Sequence, residues 1–92
     1  MEPATFKGAR GAVKHVYRIA ADVRAFVITF DKTTKRGTLG GAVVTSDPFL
    51  LLQRPLIFSV WSKVGTWRWP VETVTVANGQ IRASLGPLLG RE

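Results

Sequence analysis

The sequence predicts an all-β domain: a small antiparallel meander or partly open barrel of five to six strands, with a short helical turn near residues 48–53. Three observations support this prediction. Short alternating or β-branched runs recur along the chain, glycines and prolines separate them, and an Asn-Gly pair joins two of the runs. A length of 92 residues fits one domain, 1–92, in which residues 86–92 are expected to form an extended C-terminal tail.

Residues 9–23 are open to two interpretations. Their β-branched and aromatic residues, with glycines at 8 and 11, favour a strand. A helix would instead place a polar stripe on one face, made of Arg10, Lys14, Arg18 and Asp22. The alternative fold is therefore α+β, with one N-terminal helix at 9–22 packed on a four- to five-stranded antiparallel sheet.

A hairpin is predicted from residues 24–30 and 38–45, because both runs are rich in β-branched and aromatic or small apolar residues. The connecting loop, 31–37, is polar and carries three cations: Lys32, Lys35 and Arg36. Gly40-Gly41 within the second strand predicts a bulge or a sharp bend of the kind that closes small barrels.

The helical turn is predicted from its start signal. Asp47 is suited to the N-cap and Pro48 to the first helical position. Arg54-Pro55 ends the turn, because the residue before proline avoids helical backbone angles. A strand at 56–62 and a turn at 63–66 follow.

The second hairpin is centred on Asn78-Gly79, since a type I′ turn needs positive φ at both central residues. A two-residue loop pairs Ala77 with Gln80, Val76 with Ile81, Thr75 with Arg82, and Val74 with Ala83. One face is then apolar and faces the core: Val74, Val76, Ile81, Ala83 and Leu85. The other face is polar: Thr73, Thr75, Gln80, Arg82 and Ser84.

Three tryptophans, Trp61, Trp67 and Trp69, alternate with the cations Lys63 and Arg68. Their orientation depends on the loop before Trp67. A three-residue loop exposes all three rings on one patch with Lys63 and Arg82. A four-residue loop turns Trp67 and Trp69 inward with Phe58 and Val60 and leaves Trp61 and Arg68 outside. Pro70 cannot donate to a ladder and could reverse this parity, so both arrangements stay open.

The chain carries a net charge of +7 and no cysteine, and its single histidine is His15. These counts exclude a disulfide scaffold, a thiolate zinc site and a His-rich metal site. The six acids are scattered and His15 has no evident partner, so we predict a non-enzymatic protein without metal or cofactor. The apolar runs are short and the first residues form no apolar leader, so we expect a cytoplasmic protein without a membrane span.

The cations predict nucleic-acid binding, to RNA or single-stranded DNA. Arginine outnumbers lysine, and arginine pairs with phosphates and stacks on bases. Tryptophan beside a cation can stack on a base while the cation holds the phosphate. The predicted phosphate contacts are Lys14, Arg18, Arg24, Lys32, Lys35, Arg36, Lys63, Arg68 and Arg82, and the predicted stacking residues are Trp61, Trp67 and Trp69.

The alternative is a protein–protein interaction module, such as an accessory subunit or a phage-type inhibitor that docks on a larger nucleic-acid-handling complex. The cationic face would then contact an acidic protein surface. The chain also has more apolar residues than a small core needs, which predicts a protein interface or a homo-oligomer through 49–57 and the tail. The residues concerned are Phe49, Leu50, Leu51, Leu52, Leu88 and Leu89.

Overall fold

The computed structural model describes residues 2–4, 10–15, 18–62 and 65–91, which form eight strands and one short helix. The elements are β1 (Glu2–Ala4), β2 (Arg10–His15), β3 (Arg18–Phe30), β4 (Gly37–Ser46), α1 (Pro48–Leu52), β5 (Leu56–Ser62), β6 (Gly65–Ala77), β7 (Gln80–Leu85) and β8 (Gly90–Arg91). Strands β2 to β7 close an antiparallel barrel. The all-β prediction is confirmed, and the α+β alternative is wrong.

The barrel is built from two three-stranded meanders, β2-β3-β4 and β5-β6-β7. Pairing of β2 with β5 and of β4 with β7 joins them into a ring. The two short strands cover parts of the long middle strands that the ring leaves unpaired. β1 pairs with the end of β3, and β8, within the predicted tail, pairs with Trp67 and Arg68 of β6. Ring closure and these additions reduce the exposed backbone at sheet edges.

The ambiguous segment forms a strand hairpin, in which Gly11 pairs with Val23 and Ala12 with Asp22. Gly11 is required here because the rings of Phe26 and Phe58 approach it closely. A Cβ at Gly11 would lie 2.8 Å from the Phe26 ring. The four polar residues that a helix would align on one face are therefore divided between two strands: Arg10 and Lys14 lie on β2, and Arg18 and Asp22 lie on β3.

A bulge bends β3 opposite Gly41, next to the position in β4 where the sequence predicts a bulge. Two residues, Ala25 and Phe26, lie between the paired positions Arg24 and Val27, and Ala25 has a φ of 50°. A Cβ on Gly41 would lie 2.5 Å from Val23 Cγ1 and 3.2 Å from the Arg24 carbonyl oxygen. The extra residues thus belong to β3, and the glycine of β4 makes room for them. The bulge turns Phe26 into the core.

The predicted helical turn and the Asn-Gly hairpin are confirmed. The Asp47 carboxylate accepts a hydrogen bond from the Phe49 amide at 3.0 Å. Asn78 and Gly79 have φ angles of 53° and 73°, as a type I′ turn requires. All four strand pairs expected around this turn are present.

The core is centred on Phe58, which is fully buried. Its ring centroid lies 5.5 Å from that of Phe26 in an edge-on arrangement and 6.2 Å from that of Trp69. Phe30 continues the cluster, 5.6 Å from Trp69. These rings fill the barrel, so the charged side chains of its strands lie on the outside.

Candidate nucleic-acid interface

The register of β5 with β6 separates the three tryptophans. Ser62 pairs with Gly65 and Val60 pairs with Trp67, so both loop lengths considered from the sequence are wrong. The inward orientation of the four-residue alternative is nevertheless the one observed. Trp69 is only 3% exposed, and Trp67 packs partly buried against the core.

Base stacking predicted for Trp69 is incompatible with this packing. The ring lies against both Phe30 and Phe58. A base would have to open the barrel to reach it. Trp69 is therefore a core residue, and Trp61 is the tryptophan on the outer face of β5.

Two cations of β2, Arg10 and Lys14, lie beside Trp61, because β2 pairs with β5. Trp61 is half-buried and pairs directly with Arg10. The guanidinium carbon of Arg10 lies 5.7 Å from the centre of the indole ring, and Lys14 Nζ lies 4.8 Å from it. Arg68 is exposed opposite Ser59, on the same outer face. We call these four residues, Trp61, Arg10, Lys14 and Arg68, the Trp61 patch.

One acid borders the patch. Asp22 Oδ1 accepts a hydrogen bond from the Arg10 guanidinium at 3.3 Å, and the two side chains are 32% and 64% exposed. Exposed ion pairs contribute little, about 0–1 kcal/mol. Cation–π contacts at exposed sites are worth about 0.5–1 kcal/mol. Arg10 and Lys14 can therefore exchange these contacts for stronger ones with an anionic ligand.

The cations of the β3–β4 loop are held on an ordered turn. The Asp31 carboxylate accepts hydrogen bonds from the amides of Thr33 and Thr34, at 2.8 and 3.3 Å. Lys32 and Lys35 are exposed on this turn. Arg36, in contrast, forms an ion pair with Glu72 of β6 at 2.9 Å. This contact ties the loop to the neighbouring meander.

The remaining predicted cations are dispersed. Arg18 is exposed at the start of β3, opposite His15, at the far end of β2 from Arg10. Arg24 is exposed on β3, across β2 from Trp61, and Arg82 is exposed on β7. Lys63 lies outside the described residues. Of the predicted cations, the structure therefore places Lys14 against the Trp61 ring and Arg68 on the same outer face, whereas the others do not contact the ring.

A groove that the sequence did not predict crosses β3, β4, β7 and β6. It has a volume of about 570 Å³ and contains Arg82. Two cross-strand rows form it. One is Thr29, Thr38, Ser84 and Thr73, and the other is Val27, Gly40, Arg82 and Thr75. We call it the hydroxyl groove, since five of its side chains carry hydroxyl groups.

The predicted apolar interface is only partly exposed. Phe49 and Leu52 of α1 are 77% and 79% exposed, and Leu88 and Leu89 are also exposed. Leu51 is buried in the core and Leu50 packs partly against it, so the interface role predicted for Leu51 is wrong. The two exposed pairs lie apart in the topology. α1 packs against β3, whereas the Leu89 amide donates to the Arg68 carbonyl on β6.

Among the described residues, no group of three or more His, Cys, Asp or Glu side chains is placed to hold a metal ion. Over the same residues, no helix has the length and apolar character needed to cross a bilayer. Comparison with protein-family models, curated proteins and solved structures finds no match for this chain.

Proposed function

We propose that the protein binds single-stranded nucleic acid, RNA or DNA, through the Trp61 patch, and that it does so in the cytoplasm without catalysing a reaction. The observation that carries the proposal is the position of Trp61. Its partly exposed indole lies on the outer face of the barrel with Arg10 and Lys14 within 5.7 and 4.8 Å of the ring centre. Aromatic rings bordered by cations are the recurring elements of such binding surfaces.

Binding on this patch requires an exchange of partners. A base stacks on the Trp61 ring, which contributes about 1–3 kcal/mol. Arg10 and Lys14 leave the ring and bind the flanking phosphates, where their hydrogen bonds are charge-assisted. Arg68, exposed on the neighbouring strand, adds a third cation. The net charge of +7 attracts the polyanion before contact.

This arrangement favours single strands over duplexes. A base in a duplex is already stacked on its neighbours and must be unstacked before it can reach Trp61. The phosphate contacts of the patch, in contrast, are available to both forms. We therefore expect weaker, purely electrostatic binding to duplex DNA.

A gel-shift titration with random single- and double-stranded oligonucleotides of equal length tests the proposal. We expect a shift of the single strand at lower protein concentration than the duplex. Salt must weaken both complexes, because each neutralised phosphate releases counterions. Absence of any shift at about 50 mM salt, where phosphate contacts are strong, contradicts the proposal.

A second candidate is docking on a protein partner, in which the cations contact an acidic surface and the exposed side chains of Phe49 and Leu52 supply an apolar contact. Both side chains project from the short helix α1 and are more than three-quarters exposed. Exposed apolar groups on a small protein are typical of binding surfaces. Sedimentation at high concentration tests whether a second copy is the partner, and a monomer at all concentrations excludes a homo-oligomer.

A further inference from the structure

The Trp61 patch continues around the barrel as a cross-strand row. Trp61 pairs with Arg10 on β2, and Gly11, the next residue of β2, pairs with Val23 on β3, so Arg24 follows the last paired residue of β3 on the side of Arg10. Arg24 pairs with Ala42 on β4, and Ala42 pairs with Gln80 on β7. Neighbouring strands lie about 4.8 Å apart, so Arg24 is roughly 10 Å along this row from Trp61.

The surface along the row is concave, and three depressions follow one another. The first, about 500 Å³, contains Arg10 and Arg24 and reaches Ala25. The second, about 420 Å³, runs from Ala25 to Arg82. The third is the hydroxyl groove, which shares Arg82 with the second. Adjacent depressions share lining residues: Ala25 lines the first and the second, and Val27, Gly40 and Arg82 line the second and the third. We call this series of depressions, which passes the β3 bulge at Ala25, the trough.

The trough is positively charged. Its cations are Arg10, Arg24 and Arg82, and Asp22 is the one acid among the residues lining its three depressions. Asp22 is already bound to Arg10. Within the ranges that the structure describes, Arg24 and Arg82 have no ion pair or side-chain hydrogen bond. Both guanidinium groups are exposed and free to bind an anion.

The shape and chemistry of the trough suit a sugar–phosphate backbone. Its floor around Gly40 is open, since nothing lies within 4 Å of a Cβ built there. The hydroxyl groove offers hydroxyl donors beside one guanidinium and no aromatic ring, so it provides no surface on which a base can stack. Phosphate oxygens accept hydrogen bonds from guanidinium and hydroxyl groups.

We propose that the strand whose base stacks on Trp61 continues along this trough, with Arg24 and Arg82 binding successive parts of its phosphate backbone. Further phosphate or sugar groups contact the hydroxyl groove, and the bases beyond Trp61 point away from the barrel. This inference rests on the proposed function, which it extends from one stacking site to a path around the barrel.

The test compares Arg82→Gln with Arg18→Gln by fluorescence anisotropy, using oligothymidylates of about four and about twelve nucleotides, lengths within the range that small β-barrels bind. Both variants lose one exposed positive charge, but Arg18 lies off the trough at the far end of β2. We expect Arg82→Gln to weaken binding of the longer oligonucleotide about three- to tenfold. The shorter one, bound at Trp61, is expected to be little affected.

The possible outcomes distinguish failure of the proposed trough from failure of the proposed nucleic-acid binding. Selective loss for Arg82→Gln on the longer strand supports the trough. Equal losses for Arg82→Gln and Arg18→Gln, or no loss for either, overturn the trough and leave the Trp61 patch standing. If the unmodified protein binds neither oligonucleotide, the proposed function itself fails. Thermal unfolding of each variant verifies that the barrel is intact.

Discussion

Trp61 on β5 lies directly opposite Arg10 on β2, and the guanidinium carbon of Arg10 is 5.7 Å from the centre of the indole ring. Arg10 also donates a hydrogen bond to Asp22 on β3. One arginine thus contacts both the proposed stacking residue and the acid that borders it.

Replacing Trp61 by leucine removes the stacking surface and keeps an apolar side chain. We expect Trp61→Leu to weaken binding of a single-stranded oligonucleotide by about 1–3 kcal/mol, the value of one stacked base. Anisotropy titration measures this loss. Trp61→Phe is the control, because a smaller aromatic ring restores most of the stacking. If the phenylalanine variant binds no better than the leucine variant, Trp61 does not act as a stacking surface.

Removing the acid beside Arg10 should strengthen binding. Asp22→Asn releases Arg10 from its ion pair and raises the positive charge of the patch. Coulomb attraction at the surface then predicts an affinity gain of about two- to fivefold at low salt. Asp47→Asn is the matched control, because it changes the net charge equally and asparagine is an equally good N-cap. Equal gains for both variants would show that total charge alone controls affinity.

The two adjacent glycines of β4 should respond differently to alanine. Gly41→Ala places a Cβ against Val23 and the Arg24 carbonyl, and such overpacking costs about 1–3 kcal/mol. Gly40→Ala meets open space, and a strand alanine is favoured over glycine by about 0.5–1 kcal/mol. Urea unfolding measures both free energies. A Gly41→Ala protein as stable as the unmodified one would contradict the tight approach of β4 to the bulge.

The double variant Phe49→Ser, Leu52→Ser tests whether the exposed face of α1, the surface of the second candidate function, takes part in nucleic-acid binding. Both side chains are exposed, so we expect a change in unfolding free energy within about 0.5 kcal/mol. We also expect oligonucleotide binding to be retained, because Phe49 and Leu52 belong neither to the Trp61 patch nor to the residues that line the trough. Loss of nucleic-acid binding in a folded double variant would show that α1, and not the Trp61 patch alone, contacts the nucleic acid.

The parts of the fold set by local sequence could be predicted. The register around Asn78-Gly79 follows from two residues whose positive φ angles fix a two-residue loop. The cap of α1 likewise depends on Asp47 and its immediate neighbours. In both places the deciding contacts lie within a few residues, so pattern and turn chemistry determine them.

The candidate site depends on contacts that local sequence does not determine. Trp61 meets Arg10 only because β2 and β5, from different meanders, pair when the barrel closes. The inward orientation of Trp69 depends on Ser62 pairing with Gly65, and a change of one residue in that connection would reverse it. The hydroxyl groove needs the β4–β7 pairing. Alternation of polar residues along β6 and β7 was its only sequence signal.

The most direct test of the account is the salt dependence of binding to a single-stranded oligonucleotide of about twelve nucleotides. Three to five arginine and lysine contacts predict a slope of about −2 to −3.5 in log K against log salt concentration, since each phosphate on a single strand contributes about −0.7. A slope in this range, reduced by about 0.7 in Arg82→Gln, is the result that we expect. Affinity that does not change with salt, or no measurable binding at low salt, would contradict the claim that this cationic surface binds nucleic acid.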